Sequence, residues 1–186
     1  MRVIFLIFYL LPVFLSGQPG SSAPEVLPTK SWRSVDLKEG LCTILMPFEP
    51  QKVSDTLQTP IGQVINYQYY ARQEQTTFMV SFWEYPPEVL PIDSLDFVNY
   101  FFEATISESL SSTQGVLIYQ TPDDFFEWPG QLWRIEFGQP SKGIKAKGIL
   151  IDNRFYLIQV VSLTNNFTSN PYPDRFIKSF KLNNEP

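Results

Sequence analysis

The chain contains no histidine and a single cysteine, Cys42. Without histidine, the Ser-His-Asp and Cys-His nucleophile arrangements, the usual proton shuttle of neutral pH and the commonest metal ligand are all excluded. With one cysteine no intramolecular disulfide can form, so the fold must hold by packing alone. Cys42 lies in Leu-Cys-Thr-Ile-Leu-Met, where it shares a strand face with Ile44 and Met46. No cation stands beside it to activate the thiol, and a buried free cysteine is the reading its neighbours favour.

Basic residues are also scarce. The 186 residues carry 14 Lys and Arg against 19 Asp and Glu. A phosphate backbone draws concentrated positive charge, and an acidic chain repels it, so nucleic acid is not an expected partner. No cofactor-binding or metal-binding motif is present. Gly143-Ile-Lys-Ala-Lys-Gly148 has the glycine spacing of a phosphate loop. However, Ile149 stands where Lys-Ser/Thr would follow, and the segment reads as a strand.

Aromatic residues, by contrast, are plentiful: 16 Phe, 9 Tyr and 4 Trp. The apolar content is partly concentrated at the start. Met1-Arg2 is followed by an apolar run from Val3 to Leu15, interrupted by Pro12, and then by the small residues Ser16-Gly17. A bilayer-spanning helix needs about 20 apolar residues. This shorter run reads as a cleavable secretory signal peptide over residues 1–17. Gln18 occupies the place where a lipoprotein would carry its cysteine, and no stable membrane anchor is expected after cleavage. Residues 18–31, rich in Pro and Ser, cannot bury enough apolar surface to become ordered and read as a flexible tether. A single domain over 32–182 and a short tail at 183–186 complete the expected layout, with the mature protein in the periplasm or outside the cell.

Within that domain a period of two dominates. Trp32–Leu37 and Leu41–Met46 flank Lys38-Glu39-Gly40 as a hairpin, and Pro47 and Pro50 end it. Residues 51–58 show no clear pattern. Thr59-Pro60-Ile61-Gly62 is a turn, with Pro60 fixing φ and Gly62 accepting positive φ. Ile65, Tyr67, Tyr69 and Ala71 then alternate on one strand face, as do Phe78, Val80 and Phe82, giving an antiparallel meander. From Leu95 the spacing changes to that of a helix, through Val98, Phe102, Ile106 and Leu110. Asp93 is expected to cap its start and Gly115 to close it. Strands resume at Val116–Tyr119, Gln131–Phe137, Ile144–Ile151 and Arg154–Ser162, the last two joined by Asp152-Asn153. A short helix capped by Asp174 ends the domain. These elements predict an α+β fold, an antiparallel sheet of about seven strands flanked by one long and one short helix.

The order of motifs resembles the PsbP-like family, shared with Mog-type Ran-binding proteins and small bacterial exported proteins. The residues that carry the resemblance are Ile44-Leu45-Met46-Pro47 with Pro50, Thr59-Pro60-Ile61-Gly62, Trp128-Pro129-Gly130-Gln131, Asn153-Arg154-Phe155-Tyr156 and Phe176-Ile177-Lys178-Ser179-Phe180. It implies an α/β/α sandwich and mostly non-catalytic roles. The chain departs from some relatives in lacking the lipobox and histidines, so photosystem binding carries over poorly.

Several groups are candidates for a site. Lys145 and Lys147 project from one strand face with Lys142 nearby, either a solvated basic stripe or a surface for an anionic partner. Asp123, Asp124 and Glu127 are the densest acidic group, explained by turn chemistry or by a hard cation. Glu84 and Glu136 could serve as a hydrolytic carboxylate pair only if the fold brings them together. Asn166-Phe167-Thr168 matches a glycosylation sequon. The ring-rich, proline-flanked stretches Trp83–Pro87 and Phe125–Pro129 nominate Trp83, Tyr85, Phe125 and Trp128 as a binding surface. Two functional classes are expected: an exported, non-enzymatic module that binds a protein or cell-envelope component, or a hydrolase relying on carboxylates alone.

Overall fold

The computed structural model describes residues 32–138, 142–164 and 171–183. The expected signal peptide and tether, and the sequon at Asn166, lie outside the described residues.

Two sheets form. The larger has seven strands, all antiparallel. In chain order they are β3 (Gln51–Thr59), β4 (Gly62–Gln73), β5 (Thr76–Glu84), β6 (Val116–Pro122), β7 (Gly130–Phe137), β8 (Lys142–Ile151) and β9 (Arg154–Ser162). In space the order is β3-β4-β5-β9-β8-β7-β6. The sheet is thus two meanders joined at its centre, where β5 pairs with β9. The smaller sheet contains β1 (Arg33–Leu37), β2 (Cys42–Met46) and β10 (Lys181–Leu182), with β2 in the middle. The first hairpin forms this separate layer, because its apolar face packs on the large sheet.

The helix α1 (Leu95–Thr113) carries the chain from β5 to the far edge at β6. Four strand spacings are about 19 Å, and 19 helical residues span about 28 Å, enough for a diagonal crossing. Val98, Phe101, Phe102 and Ile106 are buried on its sheet side. Burying each contributes roughly 1.5–3 kcal/mol. Ser94, not Asp93, is the N-cap, and its hydroxyl accepts from the Phe97 N–H at 3.4 Å. Gln114, not Gly115, takes the left-handed conformation at the C-terminus, with φ 51°. Gly115 is required for space instead, since a Cβ there would lie 2.5 Å from Ile135 Cγ2.

On the opposite face lies the short helix α2 (Tyr172–Lys178). Pro171 occupies its N-cap position, and Asp174 makes no capping bond. Trp32 holds this helix down, with its ring 5.5 Å from Tyr172 and 4.9 Å from Phe78 of β5.

Each face of the large sheet therefore has its own core. Trp133, Ile135, Ala146, Leu150, Phe155 and Leu157 pack with Trp83 under α1. Phe78, Val80, Phe82, Tyr156, Ile158 and Val160 pack with Cys42, Ile44, Met46 and Phe176 on the other side. The central strand β5 is buried on both faces, with only Glu84 partly exposed.

Candidate functional site

Of the four nominated rings, two belong to the core. Trp83 is 3 % exposed and stacks on Phe155 at 5.4 Å. Tyr85 is 8 % exposed, and its backbone is clasped by Asn153, whose O and Nδ2 bond the Tyr85 N–H and C=O. Burial pushes the Tyr85 phenol well above its usual range. Both are interior and not surface, because β5 is sandwiched between two cores and Tyr85, just past its end, packs under α1.

Phe125 and Trp128 have an intermediate position. Both are half-buried against the core beneath α2. They face each other across a two-residue turn in which each backbone N–H donates to the other's C=O, at 2.9 and 3.0 Å. Phe126 and Glu127 form the tip. Phe126 has φ 55° and is 64 % exposed. A left-handed phenylalanine is unusual, and it is held here by the turn's two hydrogen bonds and by the stem beneath.

That stem, the β6–β7 finger, is well anchored. Phe125 packs edge-on against Phe126 at 4.9 Å and Phe180 at 5.4 Å. The Leu150 N–H donates to Pro129 O at 3.0 Å, tying the finger to β8. Asp124 Oδ1 accepts from the Gly130 N–H at 3.0 Å, and Asp123 bonds Lys147 at 3.0 Å. A Cβ on Gly130 would lie 2.3 Å from Asp123 O, so the finger's base requires glycine. Asp123 and Asp124 are thus engaged as clasp and turn chemistry. Asp124 and Glu127 remain exposed beside the Phe126 ring.

The lysine stripe is not a solvated face. Lys145 and Lys147 lie on the side of β8 that faces α2, with side chains 16 % and 12 % exposed. Lys145 bonds Asp174 of α2 at 2.5 Å. Burial alone would lower the Lys145 pKa, but Asp174 and the Tyr119 hydroxyl reverse this and raise it. Lys142, at the start of β8, belongs to the opposite pleat. Residues 143–148 run as regular strand, paired with β7 and β9, and not as a phosphate loop.

Glu84 and Glu136 do not meet. Glu84 is level with Arg154 at one end of the sheet, whereas Glu136 is level with Gly143, Ser162 and Thr76 at the other. Eight residues of strand separate those levels, about 25 Å, and paired glycosidase carboxylates stand about 5–9.5 Å apart. Each glutamate instead binds an arginine, Glu84 to Arg154 at 3.0 Å and Glu136 to Arg134. An open cleft of about 350 Å³ lies near Glu84's end, lined by Pro87, Glu88, Leu90, Ile92, Asp152 and Asn153.

Two features escaped the sequence reading. Phe126 was one ring among several, and only the pairing of Phe125 with Trp128 makes it the tip. Arg134 becomes notable only through register, which sets it opposite Lys145.

No protein-family model matches the chain, and no curated protein matches it in sequence. A solved structure does match in fold, the solution structure of cyanobacterial PsbP (CyanoP) from Synechocystis sp. PCC 6803. The two superpose with a TM-score of 0.53 at 13% identity, over 87% of this chain and 98% of that one. The fold is PsbP-like. At this identity the likeness concerns the fold alone.

Proposed function

We propose that this PsbP-like domain is a non-enzymatic binding module, exported from the cytoplasm, that docks a protein or envelope component through the β6–β7 finger. Kinship with Mog-type and small exported bacterial proteins belongs to the same proposal. The observation that supports it is Phe126, a large ring 64 % exposed on a turn that fixes its direction. A rigid exposed aromatic loses little entropy on binding and supplies a large apolar contact. Asp124 and Glu127 flank it, so the fitting partner carries an apolar pocket with a basic rim. Phe125 and Trp128 act as the pedestal.

The test is capture from envelope extract through a photo-crosslinking residue at position 127, comparing the parent with Phe126→Ala. A band that disappears in the variant while its melting temperature stays within a degree or so of the parent supports the docking role. Equal cross-linking in both would overturn it.

A further inference from the structure

On the face of the large sheet turned toward α2, strand register gathers three cations. Arg134 of β7 stands directly opposite Lys145 of β8, and Leu132, two residues along, stands opposite Lys147. Tyr119 of β6 is level with Arg134 on the other side. Like charges facing each other across a strand pair are destabilising. Here they are set side by side in a chain whose overall charge is negative.

The exposures are layered. The cation side chains are sunk, at 13 % for Arg134, 16 % for Lys145 and 12 % for Lys147. Their partners lie nearer solvent, at 34 % for Glu136, 54 % for Asp174 and 44 % for Asp123. The three carboxylates come from three places, β7, α2 and the base of the finger. Any one of them can turn outward without unpairing a strand. What remains is a positive floor, walled by α2 on one side and by the finger on the other.

The geometry points to this floor as a binding site for a tetrahedral oxyanion, a phosphate group, held by the Arg134 guanidinium, the Lys145 and Lys147 ammonium groups and the Tyr119 hydroxyl. The planar fork of arginine matches two oxygens of such a group, and the lysines serve as point charges beside it. Glu136, Asp174 and Asp123 occupy the cations until the anion displaces them. This goes beyond the docking reading and does not rest on it. The same chemistry is offered by free phosphate, by a phosphomonoester and by the headgroup of an anionic lipid.

The experiment is a titration of the folded domain with inorganic phosphate at constant ionic strength, followed by amide chemical shifts. A parallel arm measures co-sedimentation with vesicles of phosphatidic acid or phosphatidylcholine. Saturable shifts at Tyr119, Arg134, Lys145 and Lys147 are expected, weakened on the order of tenfold in Arg134→Gln, which loses the bidentate contact. Glu136→Gln removes a competing carboxylate and is expected to tighten binding several-fold, an effect that a purely structural ion pair would not give. Should Arg134→Gln fail to fold, Glu136→Gln carries the test. Binding to phosphatidic acid vesicles without saturable binding of free phosphate assigns the site to a lipid headgroup. Absence of both, or weaker binding in Glu136→Gln, overturns the site.

Discussion

Trp83 and Phe126 sit in similar sequence, each in a run of rings that ends at proline, yet one is interior and the other is a tip. The difference lies in the pairing of their backbones. Trp83 is level with Asn66 and Phe155 within three adjacent strands, whereas Phe126 belongs to a turn closed by Phe125 and Trp128. Trp83→Ala is therefore expected to cost about 3–5 kcal/mol through lost burial and a cavity. Phe126→Ala should stay within about 0.5 kcal/mol of the parent, as a surface change. Urea unfolding of the two variants decides this, and comparable losses in both would contradict the assignment. Cys42, in contrast, was legible from its neighbours. It is fully buried, and burial pushes its thiol up to about 12, with Asp36 adding to the rise and Arg154 opposing it. Native protein should resist alkylation by iodoacetamide until it is unfolded, and rapid labelling of the folded state would show the thiol to be accessible. The sequon and the leader pattern concern residues outside the described structure.

At the scale of elements, patterns that bury one face were legible and those that bury none were not. The period of two marked β4, β5, β7, β8 and β9, and the period near 3.6 marked α1. Strand β3 escaped because it is an edge strand exposed along most of its length, so nothing selects alternating apolar residues. Its turn was readable all the same, as Gly62 has φ 114° and a Cβ there would lie 2.7 Å from Pro86. Sheet order was beyond reach, since the pairing that joins the two meanders links Glu84 with Arg154, distant in sequence. Helix ends were misplaced by one residue. Two cap-forming residues, Asp93 and Ser94, are adjacent, and only the backbone turn decides which hydroxyl or carboxylate faces the free N–H groups. Ser94→Ala should cost about 0.5 kcal/mol, the low end for an N-cap, because its bond is 3.4 Å long. Asp93→Ala should cost less than this. Denaturation midpoints in the reverse order would return the cap to Asp93.

At the scale of the molecule, the question is how the small sheet and the two cores act together. One clasp between the sheets is polar. Glu39, in the turn between β1 and β2, bonds Lys52 of β3 and the Tyr69 hydroxyl of β4. Lys52 first, then Tyr69, lower the Glu39 pKa from 4.5 to about 2. A carboxylate depressed in the folded state stabilises above its unfolded pKa, and the contribution is lost as pH falls from about 4.5 toward 2. Because the pair is solvent-exposed, Glu39→Gln should cost less than about 1 kcal/mol at pH 7. The difference from the parent should vanish by about pH 2, as equilibrium unfolding at several pH values would show; a pH-independent gap would mean the clasp works through shape and not charge. The cores are coupled more strongly. Strand β5 and its neighbour β9 are buried on both faces, so the apolar layer under α1 and the layer under α2 share one backbone. Losing either layer exposes the strands that support the other. Phe102→Ala under α1 and Phe176→Ala under α2 should each cost about 3–5 kcal/mol. For a domain of this size that lowers the melting temperature by roughly 6–20 °C. Both should do so within one transition, with far-ultraviolet circular dichroism and tryptophan fluorescence falling together. If Phe176→Ala instead separated an early transition from a late one at the parent's temperature, α2 and the small sheet would be a dispensable layer. The domain would then be held by the α1 core alone.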